Sequence, residues 1–172
     1  MSQSNITIPV LGFAAFSGTG KTHLLKELIN AFHARGIRVG IIKQSHHDFE
    51  IDVPGKDSYE LRKAGAKQTL ISSPFRWALI EENPEPETTL ASLIKRLDHT
   101  VLDIILVEGF KHEPFAKIEL HRNSLGKPLL YPEDNNIIAI ATDSVNNDHH
   151  PIPGLDLNNP QQIMDFIYQE FL

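Results

Sequence analysis

Apolar runs alternate along the chain with segments of helical periodicity. The runs are predominantly apolar and end at glycine or polar residues, as in strands that are buried on both faces of a sheet. Four such runs predict buried strands: residues 6–15, 37–43, 103–108 and 137–141. In three other segments the apolar residues recur every three or four positions, which predicts helices with one buried face: residues 24–32, 90–97 and 163–171.

Shorter patterns predict the remaining elements. Three polar residues are predicted to cap the N-termini of helices: Asp57, Thr88 and Asn159. Residues 68–72 and 77–80 predict two short strands. The strict alternation of Lys117–His121 predicts a strand with one face in water, as at the edge of a sheet.

Buried strands that alternate with amphipathic helices predict an α/β fold of three layers, in which helices cover both faces of a mostly parallel sheet. Antiparallel excursions are predicted around residues 68–80 and 115–122. The whole chain, residues 1–172, is expected to form a single domain, because its length is ordinary for one. In such sheets the functional groups gather at the carboxyl ends of the strands.

Composition and charge narrow the classes of function. The chain has 16 Lys and Arg residues against 22 Asp and Glu residues, so its formal net charge is −6. This balance argues against nucleic acid or an anionic membrane as the main partner, because both attract basic surfaces. The absence of cysteine excludes disulfides, zinc–thiolate sites and thiol nucleophiles. The first 20 residues contain no Lys or Arg, which argues against a signal peptide and predicts a cytoplasmic protein.

A glycine-rich segment joins the first predicted strand to the first predicted helix. Residues 15–22, here called the phosphate loop, read AFSGTGKT and match the pattern G-x-x-x-x-G-K-[ST] at every position but the first. Backbone N–H groups and the helix N-terminus cradle phosphates in such loops, the lysine neutralises them, and the hydroxyl binds Mg²⁺. The predicted phosphate-binding residues are Ser17, Gly18, Thr19, Gly20, Lys21 and Thr22. The pattern therefore predicts a P-loop NTPase-type fold that binds a nucleotide with Mg²⁺.

A second magnesium ligand is expected at the carboxyl end of a neighbouring strand. Asp103 and Glu108 flank one buried strand and at ~3.3 Å per residue lie about 16 Å apart, so only Glu108 reaches the phosphate side. Asp103 is expected to be a solvated strand start. Asp52 precedes a predicted helix and is either a loop carboxylate or a ligand of Mg²⁺ or water in a switch loop. The turn after Glu108 is expected to line the same cleft: Gly109, Phe110 and Lys111.

The loop after the second strand is polar and long for so short a chain, and loops of this kind are often functional. Lys43 ends the strand, and three residues that follow are predicted to line the nucleotide cleft with it: His46, His47 and Asp48. Without cysteine, a transition metal on this loop would need the histidines together with carboxylates. A phosphate contact is the preferred interpretation of the histidine pair, and a metal site is the alternative.

The base pocket has no familiar signature, because the guanine motif N-K-x-D is absent. The residues at the end of the last buried strand are the candidates, since a carboxylate there can accept hydrogen bonds from guanine N1 and N2. The predicted base-binding residues are Ala141, Thr142 and Asp143. One carboxylate in a loop is too little to predict from the sequence whether the base is guanine or adenine.

Five segments together resemble a known family. They are AFSGTGKT at 15–22, KQSHHD at 43–48, DVPGKDSYELRKAGA at 52–66, RWAL at 76–79 and VEGFKH at 107–112. In these segments the chain resembles the molybdopterin-guanine dinucleotide biosynthesis adaptor protein family. Its members are the small P-loop partners of the guanylyltransferase that completes bacterial molybdenum cofactor. The resemblance covers nearly the whole chain up to Ser144.

The resemblance implies a GTP-binding homodimer with Mg²⁺ and weak intrinsic GTPase activity at most. It implies an adaptor that assists the formation and handover of molybdopterin guanine dinucleotide. The guanylyltransferase is the implied partner, and molybdopterin is a further candidate ligand. By position, it implies that Asp52, residues 108–111 and residues 141–143 line the nucleotide cleft, and we add Arg76, which follows a strand on the same face.

Two other functions remain open at this point. A P-loop small-molecule kinase would need a lid with two or more arginines, and the chain has no arginine-rich segment of that sort. A GTP-dependent metal carrier would hold its ion on the histidines. Slow GTP turnover fits the sequence, because no arginine finger and no water-orienting glutamine can be identified in it.

Overall fold

A computed structural model describes residues 8–45, 49–82, 89–144 and 150–172. The chain divides into two compact units, which we treat separately. The larger unit comprises Met1–Gln44 and Leu90–Leu172, and the smaller unit comprises Ser45–Thr89. The expectation that residues 1–172 form one nucleotide-binding domain stays a prediction.

Strands and helices alternate along the chain. The strands are β1 (Val10–Ala15), β2 (Val39–Lys43), β3 (Gln68–Ser73), β4 (Arg76–Glu81), β5 (Ile104–Glu108), β6 (Lys117–His121), β7 (Ile137–Thr142) and β8 (Gly154–Asp156). The helices are α1 (Lys21–Ala34), α2 (Asp57–Lys63), α3 (Leu90–Ile94) and α4 (Pro160–Phe171), with 3₁₀ turns at His99–Val101 and Asn123–Leu125.

The larger unit contains a six-stranded sheet in the order β2-β5-β1-β6-β7-β8. Every neighbouring pair in it is parallel. Strands β3 and β4 form a separate antiparallel sheet in the smaller unit, with Gln68 opposite Glu81. The predicted α/β class with a mostly parallel sheet and an antiparallel part at residues 68–80 is therefore confirmed.

Helices cover both faces of the six-stranded sheet. On one face, apolar residues of α1 and α4, such as Leu28 and Ile163, pack against β1, β5, β6 and β7. On the other face, Leu90 of α3 packs with Ile105 and Val107 of β5. Strand β5 is buried on both sides because its residues alternate between these two clusters. The three-layer prediction is confirmed.

The prediction for β6 is wrong in two respects. The strand lies between β1 and β7 in the interior of the sheet and is parallel to both, so it is neither an edge nor an antiparallel excursion. All five residues of Lys117–His121 are buried. The polar face is covered by the connection that leads to β7. Lys117 Nζ contacts Asp134 Oδ2 at 3.0 Å, and the Glu119 carboxylate accepts the backbone N–H groups of Leu130 and Tyr131, each at 2.8 Å.

Of the three predicted helix caps, one is confirmed, one is wrong and one lies outside the described residues. Asn159 caps α4, because its side chain accepts a hydrogen bond from the backbone N–H of Gln162. Asp57 is not a cap: it is the first residue of α2, Lys56 occupies the cap position, and no side chain caps this end. Thr88 lies outside the described residues. In the parts of the chain that the structure describes, no helix has the length and hydrophobicity to cross a membrane.

Candidate functional site

The phosphate loop lies between β1 and α1, at the edge of the sheet where all six parallel strands end. Gly18 and Gly20 have φ values of 86° and 98°, a left-handed conformation that other residues rarely adopt. The Thr19 hydroxyl donates to the carbonyl oxygen of Phe16 at 2.8 Å, and the Thr19 side chain is buried inside the turn. Ser17 and Thr22 are exposed. The loop is therefore a backbone turn of the kind that binds anions through its N–H groups.

Lys21 of this loop comes together with two charged residues that end neighbouring strands. Lys43 and Glu108 are register partners at the ends of β2 and β5. Glu108 Oε1 lies 3.6 Å from Lys21 Nζ, and Glu108 Oε2 lies 3.5 Å from Lys43 Nζ. The Glu108 side chain is 15% exposed, so one partly buried carboxylate is held between two lysines. The cluster has a net charge of about +1 before any ligand binds, which favours a polyanion.

The residues at this edge fit a magnesium–nucleotide ligand. Mg²⁺ in phosphate sites takes few protein oxygens and keeps several waters. Here Thr22 offers an exposed hydroxyl and Glu108 a partly buried carboxylate, and these are the two residues that would hold the ion. Among the residues that the structure describes, no group of three or more His, Asp or Glu side chains converges as in a metal cage.

The turn after β5 is fixed by a residue that sequence analysis missed. Gln44 donates its backbone N–H to the carbonyl oxygen of Glu108, and its side-chain oxygen accepts the N–H of Phe110, each at 2.8 Å. Gly109 between them has φ 106°, and a Cβ atom there would lie 2.5 Å from Cβ of Gln44. Phe110 has φ 53° and is buried, whereas Lys111 is exposed. Gln44 thus holds the turn that follows Glu108 in one conformation.

A second missed residue, Arg122, lies on the other side of the phosphate loop. It follows β6 and donates from Nε to the carbonyl oxygen of Thr19 at 2.9 Å. Its Nη1 atom lies 3.5 Å from Asp143 Oδ2. The signal that could have found it is its position directly after a strand. The sequence pattern hides this signal, because it predicts an antiparallel excursion around residues 115–122, and the carboxyl end of an antiparallel strand would lie at the opposite edge of the sheet.

The three predicted base-binding residues differ in what they can offer. Ala141 and Thr142 belong to β7 and are fully buried. Asp143 follows the strand, is exposed, and accepts the backbone N–H of Asn123 at 3.2 Å. Only Asp143 among the three therefore presents a polar side chain at the surface of this edge. Base binding by these residues stays a prediction.

In the smaller unit, Asp52 is held by a buried arginine. Asp52 Oδ2 accepts from Arg62 Nε and Asp52 Oδ1 accepts from the Ser58 hydroxyl, both at 3.4 Å. Arg62 also donates to Glu82 at 2.6 Å and to Glu50. The hydrogen bond to Glu82 and those to the other carboxylates raise the pKa of Arg62 above its ordinary value. This ion cluster gives Asp52 a structural role within its own unit, and its assignment to Mg²⁺ or a switch stays a prediction.

The remaining predicted cleft residues belong to the same unit. Arg76 is the first residue of β4, next to the turn that joins β3 to β4, and it is exposed. His46, His47 and Asp48 lie outside the described residues, so their predicted contacts with the nucleotide are not addressed by the structure. The larger unit alone brings together Lys21, Lys43 and Glu108.

Comparison with known proteins identifies the family of the chain. Residues 10–143 match the family model MobB, described as molybdopterin guanine dinucleotide synthesis protein B. A molybdopterin-guanine dinucleotide biosynthesis adapter protein of Escherichia coli is 53% identical over 165 residues, which cover 94% of this chain and 93% of that protein. The adapter protein of the same name from Haemophilus influenzae is 44% identical over 168 residues, covering 95% of this chain and 89% of that protein.

Solved structures show the same fold at lower identity. A crystal structure of molybdopterin-guanine biosynthesis protein B superposes with a TM-score of 0.73 at 23% identity, covering 93% of this chain and 98% of that one. The crystal structure of Bacillus subtilis MobB gives a TM-score of 0.73 at 23% identity, covering 96% of this chain and 99% of that one. These likenesses extend to nearly the full length of both chains.

Proposed function

The chain belongs to the molybdopterin guanine dinucleotide synthesis protein B family, and from this premise we propose that it is a GTP-binding adaptor in the synthesis of that dinucleotide. The adapter proteins of E. coli and H. influenzae support this role, because the similarity covers most of both chains. In this proposal the chain binds GTP with Mg²⁺ at the phosphate loop, hydrolyses it slowly, and assists formation and handover of the dinucleotide. The guanylyltransferase is its partner, and molybdopterin is a further candidate ligand.

The observation that carries the proposal is the cluster of Lys21, Lys43 and Glu108 beside the phosphate loop. Lys21 starts α1, so its charge adds to the positive N-terminal end of a 14-residue helix. Glu108 pairs with Lys21 at 3.6 Å, which keeps the lysine at the loop before a phosphate arrives. A triphosphate with Mg²⁺ would suit this arrangement, because the phosphates would pair with Lys21 and Lys43, and Glu108 would then supply a carboxylate for the ion.

We expect slow hydrolysis, because Arg122, the arginine that contacts the phosphate loop, is engaged by Thr19, Asn158 and Asp143. Fast GTPases place an arginine against the transferred phosphate and a glutamine beside the attacking water. Among the described residues, the cations that pair with Glu108 are the two lysines. The side chain of Gln44 is engaged by the N–H of Phe110 and holds a turn. We therefore expect GTP to act as a bound effector with slow turnover.

The test is equilibrium binding of Mg-GTP to the wild type and to Lys21→Ala, with hydrolysis measured on the same samples. Loss of the lysine charge should weaken binding by about tenfold or more, because a charge-assisted contact to phosphate is lost. Lys26→Ala is the matched control, since Lys26 is exposed on the same helix, outside the loop. Equal affinity of Lys21→Ala and wild type would refute nucleotide binding at this loop.

The proposed homodimer is supported by an apolar face on the smaller unit. Leu70 lies opposite Leu79 across the β3–β4 ladder, and Trp77 lies opposite Ser72 on the same face. The exposed fractions of Leu70, Trp77 and Leu79 are 65%, 70% and 47%. Contiguous apolar side chains that are exposed on one face are typical of a surface that binds another protein chain. We propose that this face lies between two copies of the chain.

Analytical ultracentrifugation of the wild type and of Trp77→Glu tests this interface. The charge should shift the protein from dimer to monomer, because it would bury an unpaired carboxylate. Val101→Glu is the control, since Val101 is an exposed apolar residue of the larger unit, 53% exposed. If the wild type sediments as a monomer at micromolar concentration, the homodimer proposal fails.

A further inference from the structure

Arg122 connects three loops at the carboxyl edge of the sheet. Its Nε donates to the carbonyl oxygen of Thr19 in the phosphate loop at 2.9 Å. Its Nη atoms lie 3.3 and 3.4 Å from Oδ1 of Asn158, which follows β8. Its Nη1 also lies 3.5 Å from Asp143, which follows β7. One guanidinium thus spans the ends of β1, β7 and β8.

The bond to Thr19 controls the direction of a donor in the phosphate loop. A trans peptide is planar, and its C=O and N–H groups point in opposite directions. The carbonyl of Thr19 points to Arg122, so the N–H of Gly20 points away from Arg122. Gly20 is the N-cap of α1 with φ 98°, and a Cβ atom there would lie 3.9 Å from Arg122 Nη2. Arg122 therefore sets the orientation of the N–H at the start of α1.

The strand order places this connection on the nucleoside side of the site. Strands β5 and β2, with Glu108 and Lys43, lie on one side of β1, and β6, β7 and β8 lie on the other. The phosphate-pairing charges occupy the first side, so the nucleoside of a bound nucleotide extends to the second. A cavity of about 170 Å³ is present there, and its lining includes Gly20, His23, Arg122, Leu157 and Asn158.

We propose that Arg122 is a positioning residue that couples the two ends of the nucleotide site. It orients the phosphate loop through Thr19 and holds the loops of Asp143 and Asn158 on the nucleoside side. The proposal rests on nucleotide binding at the phosphate loop. Occupation of the nucleoside side stabilises these contacts, and with them the orientation of the Gly20 N–H.

The test compares Mg-GTP with Mg-tripolyphosphate, which has no nucleoside. In Arg122→Ala the affinity for tripolyphosphate should fall by about tenfold, because the Gly20 N–H loses its fixed direction. Arg122→Lys keeps the charge and cannot reach three acceptors at once, so it should not restore binding. Asn158→Ala removes one of the contacts that hold Arg122 against Thr19, so it should weaken GTP and also weaken tripolyphosphate, by less than Arg122→Ala does. Wild-type affinity for tripolyphosphate in Arg122→Ala, or full rescue by Arg122→Lys, would overturn the proposal.

A second readout needs no ligand. The backbone amide resonance of Gly20 should shift in Arg122→Lys, because the peptide plane of Thr19 and Gly20 is no longer held. Arg35→Ala is the matched control, since Arg35 is an exposed arginine of the same unit that pairs with Asp165 at 2.9 Å. An unchanged Gly20 resonance in folded Arg122→Lys would contradict the positioning role. If the wild type binds neither GTP nor tripolyphosphate, the proposed function fails. The Gly20 resonance then still tests whether Arg122 orients the phosphate loop.

Discussion

At the scale of single residues, the site is organised by one carboxylate between two cations. Glu108 pairs with Lys21 and Lys43 at 3.6 and 3.5 Å. Without a ligand, the carboxylate offsets part of the lysine charge that a phosphate would meet. With Mg²⁺ bound, the same carboxylate faces a cation, and its charge then favours the complex. Glu108 should therefore make nucleotide binding depend on Mg²⁺.

The variant Glu108→Gln tests this dependence. Removing the negative charge should strengthen GTP binding in the absence of Mg²⁺ and reduce the gain in affinity on adding Mg²⁺ by about tenfold. Titration calorimetry with and without chelator measures both affinities. Asp165→Asn, which removes an exposed carboxylate outside the site, is the control. An unchanged ratio of the two affinities in Glu108→Gln would argue against this role.

Gly109 is the residue whose replacement should distort the site most directly. An added Cβ atom would lie 2.5 Å from Cβ of Gln44, in a backbone conformation with φ 106°. Gly109→Ala should lower the free energy of unfolding by about 1–3 kcal/mol beyond the backbone cost, because the turn after β5 must shift. Gly36 also has a positive φ value, 74°, but nothing lies within 4 Å of a Cβ atom added there. Gly36→Ala therefore measures the cost of the backbone conformation alone. Urea denaturation measures the free energy of unfolding of both variants. Equal losses would show that Gln44 moves aside without an energetic cost.

Part of the site could be predicted from the sequence because strand ends are visible in it. Lys43 and Glu108 end apolar runs, and parallel strands bring their carboxyl ends to one edge. Gln44 and Arg122 also follow strand ends, but that position alone does not give their roles. Their roles come from hydrogen bonds to backbone groups of Phe110 and Thr19, and such bonds leave no pattern in the sequence.

At the scale of elements, β6 shows how a sequence pattern misleads. Its alternation of polar and apolar residues is typical of a strand with one wet face, yet the polar face is buried. Lys117 donates to the carbonyl oxygen of Glu113, which precedes β6, and to Asp134. Glu119 accepts from the segment between β6 and β7, which also contains Asp134 and covers this face in place of a helix. Buried charges are tolerated when they are paired and hydrogen-bonded. Strand β8 escaped prediction because it has only three residues.

Glu119→Ala tests how much this buried network contributes to the free energy of unfolding. The backbone N–H groups of Leu130 and Tyr131 would lose their acceptors, so the free energy of unfolding should fall by about 2–4 kcal/mol. Glu119→Gln keeps one acceptor oxygen and should lose less than half as much. Glu170→Ala, at an exposed position of α4, serves as control in chemical denaturation. A loss in Glu119→Ala no larger than that control would show that the loop does not depend on the carboxylate.

The start of β5 makes stability depend on pH. Asp103 accepts hydrogen bonds from the Nε, Nη2 and backbone N–H of Arg38, which precedes β2. The side-chain bond from Arg38 is the main cause that lowers the pKa of Asp103 to about 2. A carboxyl whose pKa is lowered by folding stabilises the folded protein at pH values above the pKa that it has in the unfolded chain. This stabilisation is lost as the pH falls toward its pKa in the folded protein. Asp103 is thus ion-paired with Arg38, whereas its position before β5 predicts only a solvated carboxylate.

Melting temperatures of wild type and Asp103→Asn should therefore differ by a constant amount between pH 7 and about pH 5. The difference should shrink as the pH falls from about 4 toward 2, because the wild-type carboxyl takes up its proton there. Differential scanning calorimetry in buffers of equal ionic strength measures this. Glu170→Gln is carried through the same series as control. A gap of the same size at pH 3 and pH 7 would refute the pairing.

At the scale of the whole molecule, the order of the strands determines what the edge of the sheet can bind. The strand of the phosphate loop, β1, lies between β5 and β6. Lysines and a carboxylate therefore stand on one side, and Arg122 with Asp143 on the other. The pattern of buried strands predicted the parallel sheet, and family membership agrees with it. The sequence marks the two boundaries of the smaller unit by a polar loop after Lys43 and by an acidic, proline-containing segment at residues 81–87, but neither segment by itself predicts a separate unit.

The central claim is that this edge of the sheet binds guanine nucleotide for an adaptor function. The most direct measurement is the dissociation constant of Mg-GTP and of Mg-ATP on the same preparation, with Asp143→Asn alongside. We expect GTP to bind at least about tenfold more tightly than ATP. Asp143→Asn should remove most of this preference, because it removes the carboxylate that would pair with guanine N1 and N2. ATP binding as tight as GTP binding would contradict the guanine assignment and favour a small-molecule kinase.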